Sequence, residues 1–218
     1  MSENKKRNGI SSLYVLTFIS VLLVSCVGAS SKIKINGDGS GTVSQEYRIS
    51  LELQNVGKTE GNEGMLPLPA GKEDLERTVA RIPGLRLVSF TSRQDKRDLI
   101  INADFAFDTP EALAALMENG DQPFKIDLQG KKIILNFSAG ENGDPAFKEM
   151  MVAAFLGYNF SISLSVPGPV KTTWLDGYGK SVQQYPGTCS VRNNTVDYTV
   201  SMGDLVFLDT PLALEIGW

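Results

Sequence analysis

The sequence predicts an α+β fold in which an antiparallel or mixed sheet of short strands packs about three helices on one face. Alternating apolar and polar residues recur in many short segments, which indicates strands with one packed and one solvated face. Apolar residues in three other segments follow helical spacing. Most strand segments come as closely spaced pairs, and short connections of this kind favour antiparallel hairpins.

The predicted strands span nearly the whole chain after residue 31. The turn signal Gly37-Asp38-Gly39-Ser40-Gly41 separates the first two, and Asn193-Asn194 separates a later pair. The segments are 32–35, 42–53, 85–91, 99–107, 124–128, 132–137, 158–166, 170–174, 182–184, 188–192, 195–200 and 211–218.

Three helices are predicted, over 71–82, 112–118 and 145–156. In the first, Leu75, Val79 and Ile82 recur at i, i+4 and i+7. The second follows Asp108-Thr109-Pro110-Glu111, a favourable helix start with a capping residue and a proline in the first turn. The third is apolar nearly all round and should therefore be largely buried. A single helical turn is also expected over 203–207.

The first 26 residues have the layout of a secretory signal. Lys5, Lys6 and Arg7 form a basic start, residues 8–31 carry no charge, and residues 13–24 are mostly apolar. Leu23-Val24-Ser25-Cys26 resembles the lipobox of bacterial lipoproteins. The resemblance implies cleavage between Ser25 and Cys26 and lipidation of the Cys26 thiol. We therefore predict a lipoprotein signal peptide over residues 1–25, a short tether over 26–31 and a single extracytoplasmic domain over 32–218.

Two alternatives for this stretch remain open. Residues 10–29 supply about the 20 residues that a membrane-spanning helix needs, although several serines and threonines dilute the apolar run. A plain signal peptide is the other alternative, but Leu23 is large for the position three residues before the cut.

Composition argues against several functions of the mature chain. The whole chain has 21 basic and 25 acidic residues, and removing residues 1–25 deletes three and one of these, which leaves 18 against 24 and a net charge of −6. Such a chain is not expected to bind nucleic acid, so membrane association should come from the lipid. There is no histidine, and Cys189 has no second cysteine once Cys26 is lipidated. We therefore predict no metal, cofactor or disulfide.

Two carboxylate pairs are the candidates for acid–base chemistry, Asp95/Asp98 and Glu141/Asp144. Both lie in polar turns, where solvated carboxylates keep ordinary pKa values. We interpret them as solvated surface and expect a protein that is not an enzyme.

The candidate ligand-binding residues lie on the third predicted helix. Met150, Met151 and Phe155 could line an apolar pocket, because methionine adapts to varied apolar partners. The alternative, which we favour for this helix, is that these side chains belong to the hydrophobic core.

Two segments are similar to the LppM-type domain of bacterial lipoproteins. They are Ile162-Ser163-Leu164-Ser165-Val166-Pro167-Gly168-Pro169-Val170 and Asn194-Thr195-Val196-Asp197-Tyr198-Thr199-Val200, with Asp38-Gly39-Ser40-Gly41 as an earlier point of similarity. Many members of that family carry a carboxy-terminal spanning helix, whereas this sequence has no long apolar run after residue 31. The resemblance implies a secreted, lipid-anchored domain, linked in some members to lipid or glycolipid binding, and it assigns no binding residues.

These observations together lead to one expected function and one alternative. The expected function is a non-catalytic envelope binding module, held on the cell membrane or outer membrane by its N-terminal lipid, with a lipid or other apolar ligand. The alternative is a structural or protein-interaction subunit of the envelope without a small ligand.

Overall fold

The computed structural model describes residues 27–51, 71–118, 124–127, 131–138 and 155–218. Within these ranges the chain forms eleven strands and three helices. In chain order they are β1 (Val27–Ile35), β2 (Gly41–Ser50), α1 (Lys72–Arg81), β3 (Leu85–Gln94), β4 (Asp98–Phe107), α2 (Pro110–Glu118), β5 (Phe124–Asp127), β6 (Lys132–Phe137), β7 (Asn159–Ser165), β8 (Lys171–Asp176), β9 (Thr188–Arg192), β10 (Thr195–Ser201), α3 (Met202–Val206) and β11 (Leu212–Gly217).

The strands form two sheets. A seven-stranded sheet has the order β3-β4-β2-β1-β7-β10-β9, and a four-stranded sheet has the order β5-β6-β11-β8. All neighbours are antiparallel except β1 and β7, which run parallel. The α+β class stands, but the expected single sheet of short strands is wrong, because the larger sheet contains three strands of ten residues and the second sheet is separate.

The hydrophobic core lies against one face of the large sheet. Ile33 of β1 pairs with Val43 on one side and Leu164 on the other, and all three are buried. Helices α1 and α2 pack over β3, and α2 also contacts β4 and β5. The small sheet covers the β7–β10 side, where the Tyr198 ring lies 5.1 Å from that of Trp174. The packed face of the large sheet is therefore covered partly by helices and partly by the second sheet.

The opposite face of the large sheet is polar. One row across neighbouring strands consists of Asp104, Ser44, Lys32, Ser163 and Asp197, none of which is buried. Ser163 Oγ donates a 2.7 Å hydrogen bond to Asp197 Oδ1. The alternation that predicted one packed and one solvated face holds in these central strands.

Two local predictions are corrected. Residues 27–31 are not a tether, since β1 begins at Val27 and pairs there with β2. Residues 182–184 form no strand, and the Val182 N–H makes only a single 2.9 Å bond to the Trp174 carbonyl. Pro186, which lacks an N–H, follows closely.

The first, second and single-turn helices appear close to their predicted positions. The third predicted helix, 145–156, lies outside the described residues except for Phe155 and Leu156, which are in a turn. No helix in the described part of the chain is long and apolar enough to span a membrane.

Candidate functional site

An open groove of about 420 Å³ lies at one end of the large sheet. It is bounded by β2, by the turn that joins β3 to β4, and by the segment that enters β7. Five of its eight lining residues are charged. The lining residues are Arg48, Asp95, Lys96, Arg97, Asp98, Leu156, Gly157 and Tyr158.

The turn between β3 and β4 is organised by the Asp95 carboxylate. Its Oδ1 accepts the backbone N–H groups of Arg97 and Asp98, each at 2.8 Å. These two bonds are the main reason that the pKa of Asp95 is lowered. The Arg97 carbonyl in turn accepts the Leu51 N–H at 2.8 Å. The turn is thereby tied to the end of β2, and it presents Lys96 and Arg97 as exposed side chains.

A buried hydrogen bond forms the floor beside this turn. Tyr158 Oη donates to Asp98 Oδ1 at 2.7 Å, and the two residues are 6% and 8% exposed. The tyrosine ring passes close to Gly28, since a Cβ placed there would lie 3.5 Å from Tyr158 Cδ1. The Tyr158 side chain, which precedes β7, thus lies beside Gly28 of β1 and reaches Asp98 of β4. The interpretation of Asp98 as a solvated carboxylate is wrong.

Arg48 supplies the third cation of the groove. Its Nε donates a 2.9 Å hydrogen bond to Glu46 Oε1, and this bond is the main cause of its raised pKa. The nearby charges of Glu46, Asp98 and Asp95 raise that pKa further. The guanidinium therefore stays charged throughout the physiological range.

The segment that enters β7 forms the third wall of the groove. It is a turn in which consecutive residues differ in their exposure to solvent. Phe155 is buried at 2% exposure, whereas Leu156 is 76% exposed. Gly157 has a φ of 89°, a left-handed conformation that other residues rarely adopt. The Tyr158 N–H closes the turn with a 2.9 Å bond to the Phe155 carbonyl. The turn thus places an apolar side chain at the solvent-facing edge of a cationic groove.

Most of the residues predicted from sequence to be functional lie outside the described part of the chain. Ser25, Cys26, Met150 and Met151 lie outside the described residues, as do Glu141 and Asp144. Phe155 is described, but it is buried and does not line the groove. Ligand binding by the two methionines and Phe155 therefore stays a prediction, as does lipidation of Cys26.

Sequence reasoning missed the groove residues Arg48, Lys96, Arg97 and Tyr158. The charged segment 93–98 was a visible signal, but its carboxylates Asp95 and Asp98 were interpreted only as the solvated surface of a polar turn. Nothing in the sequence places residues 156–158 beside that turn, because β1 and β2 lie between them in the sheet order.

The groove lining offers charged groups that can bind an ion. Its lining carries three cations against two carboxylates, and both carboxylates already accept hydrogen bonds from within the protein. The described ranges contain no group of three or more His, Cys, Asp or Glu side chains that could hold a metal. Cys189 is half-buried on β9, and burial is the main cause of its raised pKa. A thiol in that state is a weak nucleophile.

The fold and groove define a β-rich α+β domain with a cationic groove at one end of its larger sheet. No protein-family model matches the chain, and the search of curated proteins found no match. Among solved structures, the chain is similar to the folded domain of LppM from Mycobacterium tuberculosis, with 11% identity and a TM-score of 0.43. That alignment covers 100% of this chain and 96% of the other. At this score the likeness carries no argument about function.

Proposed function

We propose that the chain is a lipid-anchored, non-catalytic binding module of the bacterial cell envelope, held on the cell membrane or outer membrane through Cys26. The lipobox-like Leu23-Val24-Ser25-Cys26 supports the anchor. A net charge of −6 for the residues after the predicted cut, 18 basic against 24 acidic, argues against nucleic acid as the partner.

The groove is the binding site in this proposal, and its ligand is an amphiphile with an anionic group. The observation that carries this assignment is the position of exposed Leu156 beside Arg48, Lys96 and Arg97. Guanidinium and ammonium groups bind phosphate and carboxylate oxygens through charge-assisted hydrogen bonds. An apolar portion of the same molecule gains free energy by covering the exposed leucine.

The anchor is tested by metabolic labelling of the full chain with a palmitate analogue in a bacterial host. Cys26→Ala should abolish the label and leave the uncut precursor, because the acceptor thiol is missing. Cys189→Ala is the matched control, since it removes the only other cysteine, and it should be labelled like the wild type. Label retained by Cys26→Ala would refute the anchor.

The groove is tested by thermal unfolding with short-chain phosphatidylglycerol, with short-chain phosphatidylcholine as the uncharged comparison. Phosphatidylglycerol at a hundredfold over its dissociation constant should stabilise the protein by about 2.7 kcal/mol. Lys96→Gln combined with Arg97→Gln should remove most of this shift. No stabilisation by either lipid would favour the alternative, an interaction subunit without a small ligand.

A further inference from the structure

We infer that the groove end of the large sheet lies against the bilayer in which Cys26 is anchored, and that Arg48, Lys96 and Arg97 contact anionic phospholipid headgroups there. This inference rests on the proposed anchor and goes beyond it, because it fixes the orientation of the domain and names its partner. The partner is the surface of the anchoring membrane itself.

The first argument is the place where the chain enters the fold. β1 begins at Val27, the residue directly after Cys26, so no free linker separates the anchor from the sheet. Val27 pairs with Ile49, and Ile49 pairs with Leu99. The start of β1, the end of β2 and the start of β4 therefore lie at one end of the sheet.

The second argument is the distance between anchor and groove. Neighbouring strands lie about 4.8 Å apart, so β1 and β4 are separated by roughly 10 Å across β2. Arg48 is closer still, because it pairs directly with Gly28. Cys26 is one residue, or about 3.3 Å, from Val27. A lipid on Cys26 thus holds the groove within about one or two Debye lengths of the headgroups at physiological salt.

The third argument is the character of the surface at this end. The Asp98 carboxylate is buried under Tyr158, and the Asp95 carboxylate accepts backbone N–H groups of its own turn. The exposed side chains here are Arg48, Asp95, Lys96 and Arg97, together with the 76% exposed Leu156, so three cations face solvent against one carboxylate. Cations around an exposed apolar side chain suit the boundary between headgroups and acyl chains.

The test uses the full, acylated chain reconstituted in vesicles that contain a shallow brominated lipid, which quenches tryptophan only within a few ångströms. Leu156→Trp places a probe at the groove, and its exposure makes the substitution tolerable. Gly37→Trp places the matched probe in the turn after β1, where an added side chain meets nothing within 4 Å. The nine residues of β1 put that control about 30 Å further from the anchor.

The wild-type chain, which contains Trp174 and Trp218, gives the background quenching. Above that background, in vesicles with about one third phosphatidylglycerol, we expect strong quenching at position 156 and none at position 37. The double variant Lys96→Gln/Arg97→Gln should lower the equilibrium constant of this headgroup contact, measured in lipid titrations, by about tenfold or more. The reason is that each cation near an anionic surface raises that constant several-fold. Lys32→Gln with Lys34→Gln is the matched control. It removes two exposed charges from β1 at about 16 and 23 Å from Val27, and it should change little.

Flotation of the same vesicles separates failure of the inference from failure of the proposed function. If the protein floats but position 156 is quenched no more than position 37, the anchor holds and the inferred orientation is wrong. Equal quenching in purely phosphatidylcholine vesicles would overturn the headgroup contact. If the acylated chain does not float, the proposed anchor fails and the inference fails with it.

Discussion

Tyr158 Oη donates a 2.7 Å hydrogen bond to the carboxylate of Asp98, a partner sixty residues earlier in the chain. Both side chains are buried, and the bond connects the entry to β7 with the start of β4. It therefore fixes two of the three walls of the groove relative to each other.

Tyr158→Phe should destabilise the protein by about 1–3 kcal/mol, because it removes a donor from a buried carboxylate. The measurement is the free energy of unfolding in urea. Tyr178→Phe is the matched control, since Tyr178 is 91% exposed, and it should change stability by less than about 0.5 kcal/mol. Equal effects of the two variants would contradict a structural role for the Tyr158–Asp98 bond.

Phe155→Ala should cost about 3–5 kcal/mol, because Phe155 is 2% exposed and its truncation leaves a cavity. The neighbouring Leu156→Ala should change the free energy of unfolding by less than about 0.5 kcal/mol, because that side chain is 76% exposed. A small cost for Phe155→Ala, together with lipid stabilisation that the variant loses, would instead assign Phe155 to a ligand pocket.

Gly41→Ala should be strongly destabilising, by about 3 kcal/mol or more. A Cβ at this position would overlap the Lys34 carbonyl oxygen and the Phe107 ring, and neither can move without disturbing β1 or the core. Gly37→Ala is the control from the same hairpin, because a Cβ there meets nothing within 4 Å. Thermal unfolding of both variants checks the prediction, and a wild-type midpoint for Gly41→Ala would contradict the close strand approach.

The stability of the protein should fall as the pH drops below the ordinary carboxyl value of 3.8. The Ser163 hydroxyl and then Arg192 lower the pKa of Asp197, so the folded state favours the ionised carboxylate. A lowered folded pKa contributes stability above the unfolded value and loses it as the pH falls through the folded one.

Asp197→Asn and Ser163→Ala should each flatten the slope of unfolding free energy against pH in that acid window. Ser161→Ala is the control, because Ser161 lies on the same face of β7 but pairs with Thr199 rather than with a carboxylate. Wild-type slopes in both Asp197→Asn and Ser163→Ala would contradict the assignment.

Local patterns in the sequence determined most of the elements. The alternation of Ile162 and Leu164 with serines predicted β7, and the spacing of Leu75, Val79 and Ile82 predicted α1. A period of two or of 3.6 residues is a property of a short segment, so these elements can be recognised without knowledge of their partners.

Which strands pair, and in how many sheets, was decided only by the tertiary structure. The parallel pairing of Ile33 with Leu164 joins segments 131 positions apart, since 164 − 33 = 131. The alternation of apolar and polar residues indicates that each strand has a packed face, but it does not indicate which element covers that face. Local sequence also fails to predict the strand at residues 27–31. Ala29, Ser30 and Ser31 show no apolar–polar alternation, and they still lie in β1 between β2 and β7.

The features of the groove also fall into two groups, those that the sequence determined and those that only the tertiary structure decided. The sequence by itself determined the charged segment at 93–98 and predicted the lipid anchor at Cys26, because each pattern is contiguous. Only the tertiary structure brought Leu156 and Tyr158 to that turn and set β1 directly after Cys26 at the same end of the sheet. The physical reason is that a site built from separate strands exists only after long-range pairing has closed the loops between them.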